Sequence, residues 1–596
     1  MSAKNVSDIR KLMEEHGYDA FLIPSTDPHQ SEYVPDYWKR RQFASSFTGS
    51  AGDLVILKDR AGLWTDSRYF IQAEAQLSGT GIELHKMMTP DSISIPEYLL
   101  KYLKEKSVVA FDGSIMSETE FLEMKSVLQK KNIILKSSGI NLVDAIWKDR
   151  PQFPDGEIFP LDERFTGLKS DDKLKSIREV LNSKNGKALV FSTLDDIAWI
   201  TNLRGNDIKY TPVFISYLVI TMERAVIYSG IEKFSKSAWE KISGTFEVEP
   251  YHRFEEDLHN LGGENDKILI SGSSLTVKLA DIIRKHSDVE VVNSGVEKMK
   301  GIKNPTELQG MRNSHIRDGV AMVKFLIWLE NNIKSGQSIT EVSAAKYLGK
   351  LRHQQENNRG ESFETISAFG KNGAIVHYTA SQDQNSPITG NGLYLLDSGG
   401  QYLDGTTDIT RTISIGTPDK HMKKMYTMVL KGHIDLASAV FPEGTTGKQL
   451  DTIARKPLWD KALNYGHGTG HGVGMFLGVH EGPHAISYYR CQGVPLEAGM
   501  VTTIEPGYYE EGNFGIRIEN MYITVEDSPE TELSHKFLRF ENITWCPLDN
   551  RLIDFDDLSS AQKNWVCNYH EKCLVTLSPY LTGEEQKWLE TFIANE

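Results

Sequence analysis

Between Asn304 and Thr524 the sequence runs through one plan twice: helix, helix, strand-rich hairpin. In the first pass Asn304-Pro305 supplies a good N-cap and a favoured first helical residue. Leu308, Met311, Ile316, Val320, Val323, Phe325, Leu326 and Leu329 then recur at roughly helical spacing. A second helix is predicted from Ser338, with Glu341 three residues on as the far side of a capping box. The second pass predicts helices over Met422–Val440 and Thr446–Tyr465, then strands over Val501–Ile504 and Ile516–Thr524. Two tandem copies of such a plan call for a pseudo-twofold α+β domain, curved sheet inside and helices outside.

Each pass ends in a hairpin that carries two carboxylates. In LYLLDSGGQYLDGTTDITRT (Leu393–Thr412) a turn centred between Tyr402 and Leu403 would set Asp397 opposite Asp408, with Cβ atoms about 5 Å apart. In VTTIEPGYYEEGNFGIRIEN (Val501–Asn520) a turn near Gly512 sets Glu505 opposite Glu519. One such turn by itself is as well explained by solvated acids. Carboxylates this close cannot all stay ionised at neutral pH unless cations neutralise them, and four negative charges balance two divalent cations. Oxygen ligands suit Mn²⁺, Mg²⁺ or Ca²⁺, and a histidine among them shifts the balance to a transition metal. YGHGTGHGVG (Tyr465–Gly474) supplies it. An H-x₃-H pair on one helix face can bind zinc, but Gly466, Gly468, Gly470 and Gly472 argue against a helix. A glycine-rich loop that lets the backbone approach a site fits better. One of His467 and His471 would then be a ligand, and the other would support a ligand or face substrate.

The 300 residues before this domain hold two segments of similar layout. A short apolar strand (Ala20–Ile23, Ala188–Phe191) precedes a Ser-Thr turn. Strand pairs around a polar hairpin follow, Leu54–Leu57 with Leu63–Thr65 and Leu218–Thr221 with Ala225–Ser229. With amphipathic helices such as Asp171–Leu181 between them, these predict two α/β domains of one plan. The Pro- and charge-rich Trp147–Pro160 reads as the linker. The tail from about Arg551 is helical and amphipathic, leaving Trp565, Leu574, Trp588 and Leu589 to dock or to dimerise.

A net charge of −15, spread along 596 residues, argues against nucleic acid or an anionic membrane as partner. The longest apolar run, around Val213–Met222, is about half of what a membrane span needs. The N-terminus MSAKNVSDIRKLMEEHGYD lacks the apolar core of a signal peptide. Cys491, Cys546, Cys567 and Cys573 fit neither a zinc knuckle nor a disulfide framework. A reducing, cytoplasmic setting is expected, and the sequons at Asn5 and Asn542 are chance matches there.

The order Asp, Asp, His, Glu, Glu, in the contexts LLDSGGQYLDGTTDITRT, YGHGTGHGVG, TIEPGYY and IRIEN, resembles the M24 or pita-bread metallopeptidases. Within them the chain is most similar to the three-domain cytosolic Xaa-Pro aminopeptidases, and the likeness covers essentially its whole length. It implies two creatinase-like α/β domains (1–146 and 147–302), a pita-bread catalytic domain (303–540) and a helical extension (541–596). It also implies that Asp397, Asp408, His471, Glu505 and Glu519 bind two metal ions, most often manganese, with Asp408 and Glu519 bridging. His377 in AIVHYTA and His480 in FLGVHEGP match family histidines that contact substrate, and Arg68 in TDSRYF matches a substrate-associated arginine of the first domain. A homodimer through the catalytic domain is expected on the same ground.

These residues suit hydrolysis before a prolyl nitrogen. A two-metal site acidifies a water and polarises the scissile carbonyl. His377 and His480 would hydrogen-bond the developing oxyanion. Glu505 would carry the proton to the leaving nitrogen. Arg517, two residues before Glu519 on the same face, would orient carboxylates or substrate. The substrate class implied is a peptide with proline second. The alternatives are a prolidase acting on Xaa-Pro dipeptides and a metal-free pita-bread protein that only binds peptides.

Overall fold

The computed structural model describes residues 2–272, 274–382, 384–489, 493–527 and 536–594. Cys491 lies outside them. The chain forms two units, Met1–Leu161 with Leu168–Val296, and Asp162–Gly167 with Glu297–Glu596.

The first unit contains two six-stranded sheets of one topology. In the first the spatial order is Ile82–Lys86, Ala61–Thr65, Asp53–Leu57, Ala20–Ile23, Val108–Asp112, Ile134–Ser138. In the second it is Glu247–Pro250, Ala225–Ser229, Tyr217–Ile220, Ala188–Phe191, Lys267–Ser271, Asp288–Val292. Both sheets have the same two antiparallel pairings beside the first strand and parallel pairings elsewhere. The repeated layout predicted from sequence is therefore a repeated fold. Ala20–Ile23 and Ala188–Phe191 are buried along their whole length, as continuous apolar strands covered on both faces must be.

In the second unit, helix Pro305–Lys334 starts where predicted. Asn304 caps Thr306 and Glu307, and Glu307 returns to the Asn304 amide. The next helix is Glu341–His353, and its capping box is Thr340 with Ser343, not Ser338 with Glu341. The Glu341 carboxylate is engaged instead by the Phe369 and Ser386 amides at 2.7 and 2.8 Å. Helices Lys420–Ala437 and Gly447–Trp459 both end earlier than predicted. The second closes just past Pro457, which cannot donate an amide to the turn before it.

A three-stranded sheet (Ile366–Phe369, Gly392–Ser398, Ile409–Ile415) belongs to the first half of this unit. A six-stranded sheet containing Gly470–Gly472, Val501–Ile504 and Asn520–Asp527 belongs to the second. A single bridge, Thr410 to Glu519, joins the two hairpins. Helices Ser560–Leu577 and Gly583–Ala594 dock on the unit's own core, where Leu577 and Leu589 pack with Val320 and Val323 of helix Pro305–Lys334. Burying each leucine contributes roughly 1.5–3 kcal/mol. Among the described residues no helix is long and apolar enough to cross a membrane.

Candidate metal centre

The two hairpins present their carboxylates differently. In the first, Asp397 faces Thr410 and Tyr402 faces Gly405. The turn thus centres one residue beyond the predicted point, and Asp397 and Asp408 are diagonal neighbours on one face rather than a direct pair. Leu403 accounts for the shift: it donates its amide to Asn357 O outside the hairpin, and the turn closes over Leu403-Asp404. In the second hairpin Ile504 faces Asn520 and Gly507 faces Arg517, so the unbroken register sets Glu505 opposite Glu519 as predicted.

The histidine segment is neither helix nor open loop at its centre. Gly470–Gly472 is a short strand pairing with Glu481–Ile486 and Val501–Ile504. A Cβ at Gly470 would lie 2.0 Å from Thr503 O, and one at Gly472 2.1 Å from Glu481 O. The glycines therefore serve close strand approach, which carries His471 to the carboxylates. The segment before it is pinned by a fully buried ion pair. Arg455 Nε donates to Asp451 at 2.6 Å, and its other nitrogens donate to Tyr465 O and His467 O at 2.7 and 2.6 Å.

His471 Nε2 stands 3.5 Å from Asp408 Oδ2 and 3.5 Å from Glu505 Oε1. Donor atoms of Asp408, His471 and Glu519 lie within 4.8 Å of one another. Asp397, Asp408 and Glu519 are buried, whereas the Glu505 and His471 side chains keep 18% exposure and mark the open side. His480 stacks edge-on against His471, ring centroids 4.3 Å apart. His377 is half-buried, and the carbonyl of its neighbour Val376 accepts from Arg517 Nη2 at 3.4 Å.

Arg517 is the hub on the other side. It donates through Nη2 and Nε to Asp397 Oδ2 at 2.6 and 3.1 Å, and through Nη1 to Tyr509 OH at 2.6 Å. Tyr509 in turn meets His467 Nε2 at 2.8 Å. His467 thus sits behind the site, with Nδ1 3.9 Å from Glu505 Oε2. Thr410 Oγ1 donates to Glu519 Oε2 at 2.7 Å. Tyr509 and Thr410 were not singled out from sequence. Strand alternation holds the signal for both, since Thr410 is two residues from Asp408 and Tyr509 is four from Glu505. Arg68 belongs to the first unit, where its guanidinium forms a fork on Asp66, both bonds at 2.8 Å.

Electrostatics make the nest unstable as four free anions. Burial, reinforced by Asp397, pushes the Asp408 carboxyl well above its ordinary range. Burial and then Asp408, Glu505 and Asp397 do the same to Glu519. Burial lifts Glu505 to about 7, against the opposing pull of His471. Asp397 Oδ1 and Asp408 Oδ1 are buried with no hydrogen-bond partner, an arrangement that costs roughly 1–3 kcal/mol or more per atom unless something positive meets them. Oxygens without partners, excess negative charge and one imidazole fit a pair of divalent cations.

Frame and donor set together are those of a two-metal hydrolase. Residues 309–526 match the model of metallopeptidase family M24, and 536–594 match the C-terminal region of that peptidase. Residues 6–146 and 149–307 each match a creatinase/prolidase N-terminal domain. The chain is 40% identical over 608 residues to the Xaa-Pro aminopeptidase 1 of Dictyostelium discoideum, covering 99% of this chain and 96% of that protein. It is 38% identical to aminopeptidase P1 of Arabidopsis thaliana, covering 98% of each. The crystal structure of an X-prolyl aminopeptidase from Caenorhabditis elegans, described as a cytosolic enzyme with a di-nuclear active site, superposes with a TM-score of 0.95 at 37% identity, over 100% of this chain and 99% of that one. The chain belongs to the Xaa-Pro aminopeptidases of metallopeptidase family M24.

Proposed function

We propose that this enzyme hydrolyses the bond between an N-terminal residue and a following proline in peptides, using two divalent cations, Mn²⁺ foremost. The observation that carries the proposal is the pair of buried carboxylate oxygens without partners, Asp397 Oδ1 and Asp408 Oδ1, inside a nest of four acids and His471. Full-length likeness to proteins named Xaa-Pro aminopeptidase supports this substrate class over Xaa-Pro dipeptides.

Asp397, Asp408, His471, Glu505 and Glu519 would hold the ions, with Asp408 and Glu519 shared. When bound, the ions supply an acidified water and a polarised scissile carbonyl. Glu505, on the open side of the site, takes a proton and delivers it to the leaving prolyl nitrogen. That nitrogen carries no hydrogen in the substrate, so its departure depends on this delivery. His377 and His480 hydrogen-bond the developing oxyanion, and Arg517 fixes Asp397. His467 acts through Tyr509, and Arg68 is kept as a substrate contact on family likeness alone. The division at residues 146, 302 and 540, a homodimer and a cytoplasmic location complete the proposal.

The test is cleavage of a short Xaa-Pro-Xaa peptide beside the matching Xaa-Pro dipeptide, with metal content quantified in the same sample. Release of the first residue from the longer peptide is expected. Cleavage of the dipeptide alone would make the enzyme a prolidase, and cleavage of neither by metal-loaded protein would leave a peptide-binding module.

A further inference from the structure

The two carboxylate hairpins are joined by one isolated β-bridge, in which the Glu519 amide donates to Thr410 O at 3.1 Å. Thr412 Oγ1 adds bonds of 3.1 and 3.0 Å to the main chain of Arg517. No continuous ladder sets the spacing between the Asp and Glu hairpins; side chains do, the Arg517 fork on Asp397 and the Thr410–Glu519 bond holding the face of the site.

Arg411 sits on that seam, 1% exposed. Its Nη1 donates to the carbonyls of both bridge residues, Thr410 at 2.9 Å and Glu519 at 2.7 Å. Its Nη2 donates to Asn520 Oδ1 and Cys546 O at 2.8 Å and to Tyr569 OH at 2.7 Å, and its Nε reaches Pro547 O at 3.3 Å. Every one of these acceptors is neutral. Tyr569 is a buried residue of helix Ser560–Leu577, stacked on Trp565 with centroids 5.2 Å apart, and its hydroxyl donates to Cys546 O at 2.8 Å. A planar guanidinium with five donors in a fixed fork can span both hairpins and the C-terminal region at once, and an ammonium cannot.

We infer that Arg411, anchored by Tyr569, is a positioning residue that helps set the separation of the two carboxylate hairpins, and that helix Ser560–Leu577 thereby tunes metal affinity. The inference rests on the two-metal proposal above. Groups that orient metal ligands typically change metal affinity 10–100-fold when altered.

The experiment titrates Mn²⁺ calorimetrically into metal-free full-length protein and records melting temperature before metal is added. Wild type is expected to take two ions. Tyr569→Phe, which removes one oxygen, should weaken binding roughly 10-fold, and Arg411→Lys roughly 10–100-fold. In both variants, activity lost at limiting Mn²⁺ should return when Mn²⁺ is raised. A merely structural role would lower the metal-free melting temperature and leave affinity alone. Affinity within about twofold of wild type in Tyr569→Phe overturns the inference, and that variant decides the matter if Arg411→Lys does not fold. Wild type that takes no metal would sink the two-metal proposal instead, which is a separate outcome.

Discussion

The Asp hairpin and the Glu hairpin use one device, two carboxylates on one face of paired strands, and finish it in opposite ways. The Asp hairpin keeps its ladder through Asp397, and the guanidinium of Arg517 fixes that carboxylate from across the site. The Glu hairpin breaks its ladder at Glu505-Pro506, where proline has no amide to give. Glu505 is left on the open side, held through its backbone by Thr469 O at 2.7 Å. Asp397 is locked by the Arg517 fork, whereas the Glu505 side chain keeps a partly open side from which it can reach water and substrate. Division of labour between the hairpins follows from that difference.

Removing the cations should erase both roles. Chelation is expected to abolish cleavage of an Xaa-Pro-Xaa peptide completely, and added Mn²⁺ to restore it. Activity that survives with no detectable metal would end the comparison. The next largest effect separates the hairpins. Glu505→Gln should lower kcat roughly 10³-fold or more, the loss typical of an essential proton carrier, and saturating Mn²⁺ should not recover it. Because glutamine carries no buried charge, the melting temperature of the metal-free variant should not fall. Arg517→Lys should cost less, about 10–100-fold in apparent Mn²⁺ affinity, recoverable with excess metal. If the lysine variant were beyond rescue and the glutamine variant rescued, the assignment of roles would be reversed.

Much of this arrangement was legible in the residues. Turn chemistry at Gly512 fixes the Glu register, and the Asn304-Pro305 cap fixes the first helix. The errors have local causes. The Asp hairpin slipped by one residue at its turn because Leu403 is bonded to Asn357, a contact from outside the hairpin. Glycines at 470 and 472 read as loop signals, and the carbonyls of Thr503 and Glu481 that need them are distant in sequence. Tyr509 and Thr410 were within reach of period-two counting. Asp451 and Arg455 have the i, i+4 spacing of a helix pair, and only the packing shows that the pair is fully buried beneath the histidine segment.

The finest separation of the two hairpins is a proton count. In the metal-free fold the raised carboxyls hold protons that an unfolded chain would release near pH 4. A raised pKa stabilises the fold below the unfolded value, and that contribution is lost as pH rises through the folded value. For Glu505 the window therefore runs from about 4.3 to about 7. Cations compete with those protons, so metal loading must release them. A carboxyl near 7 is mostly protonated at pH 6 and mostly ionised at pH 8. Mn²⁺ added to weakly buffered metal-free enzyme should then release protons from Glu505, Asp408 and Glu519 at pH 6, and fewer at pH 8. Glu505→Gln should reduce the pH 6 release, and Arg517→Lys should change it much less, because lysine keeps the positive charge that Arg517 presents to Asp397 and Glu505. An indicator dye during titration reads the difference. Equal release from wild type and Glu505→Gln at pH 6 would mean that the mobile proton sits deeper, on Asp408 or Glu519, and that the open hairpin is not the one that carries it.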